Sequence, residues 1–134
     1  EQYFKNAKFI LTVRDSAEQW YHSLTKHHSK VWSDGVSPPN SIELKNANYR
    51  YKGYPFDMNR SMFNTPEEDP YNKRSLFQYY NNHNYAAEEY FRSNPEKLLI
   101  INVGIKSDYI RLCELLGKKP LRDTFPWENK TSEK

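Results

Sequence analysis

Two short apolar runs set the limits on what this chain can fold into. The first is Phe9-Ile10-Leu11-Thr12-Val13, and the second lies within Lys97-Leu98-Leu99-Ile100-Ile101-Asn102-Val103. Both are continuous rather than alternating, the pattern of strands covered on both faces of a parallel sheet. Two strands are too few for a doubly covered parallel sheet. The expectation is an α/β arrangement of parallel strands flanked by helices. Its sheet would belong to a larger α/β domain or be completed by another chain.

The residues after the first run carry the chemistry. Arg14-Asp15 stands where the strand stops, and Ser16-Ala17-Glu18-Gln19-Trp20-Tyr21-His22-Ser23 then opens a helix. Ligands of open α/β sheets sit beyond the carboxyl ends of strands, and helix N-termini attract anions. Arg14 is therefore a candidate clamp for a phosphate or sulfate, with Ser23 about two turns into the helix. The plainer alternative is a surface arginine paired with Asp15 or with a helix carboxylate.

The spacing predicts a first helix over about Ser16 to Val31, with Ser16 as N-cap and an inward stripe of Ala17, Trp20, Tyr21, Leu24, His28 and Val31. Residues 33 to 70 are broken by Gly35, Pro38, Pro39, Gly53, Pro55, Pro66 and Pro70 and read as an irregular segment with room for a short helix. Its aromatic and basic run, Tyr49 to Phe63, suits the wall of an acceptor or adenine pocket, or equally a lid packed on the core. A second long helix is expected from Tyr71 to Ser93. Asp69-Pro70 would begin it, Leu76, Tyr80, His83 or Asn84, Ala87 and Phe91 would form its inner face, and Asn94-Pro95 would end it. His83 reads as a structural histidine rather than a base. Ser107 is a candidate cap for a last helix with the stripe Tyr109, Leu112, Cys113 and Leu116, closed by Gly117 in the left-handed conformation.

Composition excludes several classes of function. The net charge of +3, from 20 basic and 17 acidic residues, suits an anionic ligand but is too small to indicate nucleic acid. A mean hydropathy of −1.03 goes with the lack of any apolar run long enough to span a membrane. The single cysteine, Cys113, cannot form an internal disulfide and reads as a buried thiol. His27 and His28 point about 100° apart on a helix and make a poor metal pair, so no metal site is expected. The four glycines, at 35, 53, 104 and 117, form no Gly-rich phosphate loop. In a nucleotide-type fold, the first βα unit would therefore be missing.

Taken in order, these segments resemble a family. Lys8 to Asp15 followed by Trp20-Tyr21-His22-Ser23 resembles the 3′-phosphate-binding segment of sulfotransferases that use 3′-phosphoadenosine 5′-phosphosulfate (PAPS). Four later pieces follow in the same order: Tyr80 to Asn84 leading to Glu89-Tyr90-Phe91, Lys97 to Val103, Leu112 to Gly117, and Phe125-Pro126-Trp127-Glu128-Asn129. Together they resemble the C-terminal portion of a single P-loop-like sulfotransferase domain.

The resemblance implies a partial P-loop-NTPase-like three-layer fold whose N-terminal P-loop unit is missing. It implies sulfuryl transfer from PAPS to a hydroxyl or amine acceptor, such as a small molecule, lipid or glycan, with PAP (adenosine 3′,5′-bisphosphate) as the spent cofactor and no metal. Arg14 matches the arginine on the 3′-phosphate and Ser23 the helix serine that shares it. The spacing is one residue longer than the common pattern, so His22 is the other candidate for the serine's place. Asn129-Lys130-Thr131 corresponds to the segment that closes over the 3′-phosphate and adenine. The loop for the 5′-phosphosulfate and the usual catalytic base precede the arginine strand in the family, so this chain would hold half of a cofactor site. It would be completed by an N-terminal half or another chain. Two rival readings are a non-catalytic module that binds a protein or glycan, and a P-loop transferase such as a small kinase.

Overall fold

Strand β1 (Phe9–Val13) leads into helix α1 (Ala17–Trp32), followed by α2 (Ser41–Asn46), α3 (Tyr54–Phe63), α4 (Lys73–Tyr90), β2 (Leu98–Asn102) and α5 (Lys106–Leu115). A single 3-10 turn, Pro95–Lys97, precedes β2. The computed structural model describes residues 6–126. Within them the contacts form two compact units. One comprises Ala17–Asn82, and the other the residues up to Ser16 and from His83 onward.

The strand unit is built on the expected pairing. β1 and β2 run parallel in register, from Phe9 opposite Leu98 to Val13 opposite Asn102. Leu11, Ile101, Phe91 and Cys113 are buried, and the Phe9 and Phe91 rings meet at 4.8 Å. The expected cover on both faces is not found among the described residues. Ile10 is 46% exposed and Thr12 is exposed as well. The strand alternates because the described residues cover only its Leu11 side.

Helix α5 begins after Ile105, so Ser107 lies inside its first turn and is not the cap. Leu116, expected on the inner stripe, is exposed, whereas Cys113 is buried as read. Gly117 has φ +62°, and the Lys118 and Gly117 amides donate back to the Cys113 and Glu114 carbonyls. That is the left-handed C-cap expected from the glycine.

The helical unit shows why the segment from 33 to 70 is more regular than its prolines suggest. Asn40 and Glu43 form a reciprocal capping box that starts α2. The Glu43 carboxylate also accepts a hydrogen bond from the Ser33 hydroxyl at 2.9 Å. Gly53, with φ +89°, turns the chain into α3, whose second residue is the buried Pro55. An added Cβ on Gly53 would stand 3.3 Å from the Lys45 carbonyl oxygen in a backbone conformation that L side chains rarely adopt. Pro55 sits at a helix start, and Pro39 and Pro70 are buried, so these prolines do not break elements.

The core of this unit is Leu44, Phe63, Tyr71 and Leu76, flanked by Trp20, Tyr21, Leu24, Trp32, Phe56 and Tyr79. Of the expected α1 stripe, Trp20, Tyr21 and Leu24 pack on this core and His28 is buried. Val31 is exposed, and Thr25, His28 and Ser29 are the buried positions. Helix α4 starts later than expected because Asn72 caps it, its Oδ1 accepting from the Ser75 amide at 3.1 Å. Asp69 accepts instead from the Asn72 side chain, and Pro70 is buried before the helix. On the expected inner face Leu76 is fully buried, Tyr80, Asn84 and Ala87 are half-buried, and His83 is exposed.

His28 and Tyr71 share a buried hydrogen bond, 2.8 Å between Nδ1 and Oη. The Tyr21 hydroxyl donates to the Tyr71 carbonyl at 3.1 Å. Burial, with a smaller contribution from neighbouring His27, pushes His28 down to about 4. The ring is therefore neutral in the folded protein at pH 7. The unfolded chain takes up a proton near pH 6.5 and the folded one only near pH 4, so stability is lost as pH falls across that window. The loss should reach roughly 3 kcal/mol by pH 4. Urea denaturation at stepped pH should show this slope, and His28→Leu should flatten it whatever its effect at pH 7.

Candidate anion site at the carboxyl ends of the strands

A parallel pair ends with both chains turning away from the sheet on the same side, and their polar groups must find partners there. β1 ends at Val13, and the half-buried Arg14 is the next residue. β2 ends at Asn102, which is buried. The Asn102 side-chain amide donates to Asp15 Oδ1 at 2.5 Å. Its side-chain oxygen accepts from the Gly104 amide at 2.9 Å. Its own backbone N–H donates to Asp108 Oδ2 at 2.7 Å, and its carbonyl accepts from the Ile105 amide at 2.9 Å. Every polar group of Asn102 is thus engaged.

The bracing continues into α5. Asp108 is buried, and its second oxygen accepts from Arg111 at 2.9 Å. Arg111 also donates to the Ile100 carbonyl at 3.0 Å, which ties the helix back to β2. The Asn102 amide, and then Arg111, hold the Asp108 carboxyl below its ordinary range. Gly104 fits the tight exit from β2, because an added Cβ would stand 3.3 Å from the Asn102 side-chain oxygen.

Of the residues singled out in the sequence, Arg14 occupies the strand end as expected. Ser23 is an exposed residue of α1 and belongs to the helical unit. His22, the other candidate for its place, pairs with Glu18 at 2.7 Å. Glu18 accepts from Lys73 as well, also at 2.7 Å, and this bond is the main reason its carboxyl is held low. Asn129 and Lys130 lie outside the described residues.

Sequence reasoning missed Asn102, Asp15, Asp108 and Arg111 as a group. Their signals were an amide ending an apolar run and an Asp-x-x-Arg spacing on α5, both of which look ordinary in isolation. The aromatic run is also more exposed than a pocket wall. The Tyr49 and Tyr51 rings pack against Tyr54 at 5.5 and 5.3 Å but stay largely exposed. Beside them is an open groove of about 380 Å³ lined by Val31, Trp32, Glu43, Asn46, Ala47 and Asn48.

Residues 2–134 match the family model described as the sulfotransferase domain. The chain belongs to that family. Membership identifies a transferase at the level of the family, with sulfuryl transfer as the general reaction, small molecules as acceptors and PAPS as the general donor. The parallel strands flanked by helices are compatible with a sulfotransferase-like fold. No curated protein and no solved structure matches the chain. Among the described residues of this sulfotransferase chain, no helix is long and apolar enough to cross a membrane.

The bracing group should matter for stability on its own account. Asp108→Ala removes the partner of a buried backbone N–H and should cost about 1–3 kcal/mol. Arg111→Ala, a more exposed change, should cost less. Chemical denaturation followed by circular dichroism gives both values.

Proposed function

We propose that this chain supplies the 3′-phosphate-binding half of the cofactor site in a PAPS-dependent sulfotransferase acting on a hydroxyl or amine. The observation that carries this reading is the position of Arg14, the first residue past the carboxyl end of a parallel strand and fixed on both sides. A guanidinium there offers a planar fork suited to a phosphate dianion. The resemblance gives the second position to Ser23 or His22, and the pairing of the His22 ring with Glu18 supports Ser23. Asn129 and Lys130 would complete the enclosure of the 3′-phosphate and adenine.

PAPS carries an activated sulfate on its 5′-phosphate. In sulfuryl transfer the sulfur passes in line between two oxygens, and negative charge grows on the departing phosphate. Positioning and electrostatic stabilisation then supply most of the acceleration. The 3′-phosphate changes no bond. A firm grip on it converts binding energy into orientation of the reacting end.

In this reading residues 1–134 are the C-terminal portion of one sulfotransferase-like domain of P-loop-like, three-layer type. The loop for the 5′-phosphosulfate and the catalytic base would come from outside them. A two-strand parallel sheet with an exposed Ile10 supports a wider sheet, since such a pair is too small to stand alone.

The test is calorimetric titration of the protein with adenosine 3′,5′-bisphosphate. Arg14→Ala should weaken binding by roughly 2–4 kcal/mol, the effect of removing a charged hydrogen-bond partner. Ser23→Ala should weaken it by about 0.5–1.5 kcal/mol, and His22→Ala should leave it unchanged. Wild-type affinity in Arg14→Ala would reject the assignment. No binding by the unaltered protein with the half that carries the 5′-phosphosulfate loop present would favour a non-catalytic module.

A further inference from the structure

We infer that Asn102 is the positioning residue for Arg14, acting through Asp15, an inference that rests on the reading of Arg14 as the phosphate clamp. The geometry is specific. Val13, on one side of Arg14, is the last residue of β1 and stands opposite Asn102 in the parallel register. Asp15, on the other side, is held by the Asn102 side chain at 2.5 Å. One residue of β2 therefore stands opposite one chain neighbour of Arg14 and binds the other.

Asn102 is itself immobilised. Its side-chain oxygen is occupied by the Gly104 amide, and its backbone N–H by Asp108, which Arg111 locks in turn. The amide cannot rotate away from Asp15 without breaking a second bond. The path Arg111, Asp108, Asn102, Asp15 thus carries the rigidity of α5 and β2 to the turn that presents Arg14. Rigid presentation is what a clamp for an unreactive handle requires, because an error of about 1 Å at the handle is passed on to the reacting end.

The presence of Asp15 also needs a reason. A carboxylate next to a phosphate clamp repels the phosphate, so electrostatics alone disfavours it. Its bond to Asn102 supplies the reason. Asp15 is a tether, and its charge is tolerated for the sake of the acceptor oxygen. Asparagine at position 102 can donate to this carboxylate, whereas aspartate there would set two like charges together.

The two roles predict opposite signs. If Asp15 acts only through its charge, Asp15→Ala tightens binding of adenosine 3′,5′-bisphosphate. If it tethers the turn, Asp15→Ala weakens binding, by roughly tenfold. Asp15→Asn, which keeps an oxygen for Asn102, should bind at least as well as wild type. The affinity for adenosine 5′-phosphate, which lacks the 3′-phosphate, should not move in any of these variants. In an Arg14→Ala background, Asp15→Ala should add no further loss, because it acts through the arginine.

Asp15 is exposed, so these variants should fold, and Asn102→Leu serves as a second probe with its folding checked by thermal denaturation. Tighter or unchanged binding in Asp15→Ala, with Arg14→Ala still impaired, would overturn the positioning role and leave the clamp assignment standing. Unimpaired binding in Arg14→Ala would overturn both.

Discussion

The strand unit depends on one amide. Asn102 joins β2 to the exit of β1, to the turn that follows β2 and to the first turn of α5. A short parallel pair is weak in isolation, and its ends would fray if their polar groups were left to solvent. Gathering those groups onto one buried residue closes the carboxyl end of the pair. The other end has no comparable device among the described residues. There the Lys8 ammonium donates to the Glu96 carbonyl at 3.2 Å across exposed surface. The two ends of the pair are thus braced unequally.

The helical unit is organised differently. Its order comes from rings: Trp20 lies among Phe63, Tyr79 and Tyr80, and Tyr71 is held by His28 and by Tyr21. Such a core accepts buried polar atoms where they find hydrogen-bond partners, as His28 and Tyr71 do. This explains how a chain of low mean hydropathy still encloses Leu44 and Leu76 completely. The aromatic side chains supply the volume, and their hydroxyls pair with each other's polar atoms or with the backbone.

Much of this was legible in the sequence. The two strands, the long helices, the buried Cys113 and the left-handed Gly117 each rest on a local signal, either periodicity or a backbone requirement, and each appears close to where it was read. The strand-arginine-helix order also pointed to a family whose model residues 2–134 then matched. What failed were choices between equivalent local signals. Asp69-Pro70 and Asn72 both offer a helix start, and the structure uses Asn72 because Pro70 is buried in packing. Ser107 is an ordinary cap residue, but Asp108 two positions into the helix is claimed by Asn102, and the helix begins after Ile105. The site's bracing was illegible for a related reason. Asp15 and Asn102 are 87 residues apart, and nothing local marks them as partners.

The placement of the tryptophans has a practical consequence for anyone following this protein in solution. Trp20 and Trp32 both lie in the helical unit, and Trp32 stands 4.5 Å from the His28 ring. Emission from these two indoles reports their own surroundings within residues 17–82, and Trp127 adds a third signal to that of the intact chain. With Trp127 replaced by Phe, tryptophan fluorescence would report on Trp20 and Trp32 alone, and the end of the sheet that presents Arg14 could be followed with a reporter of its own.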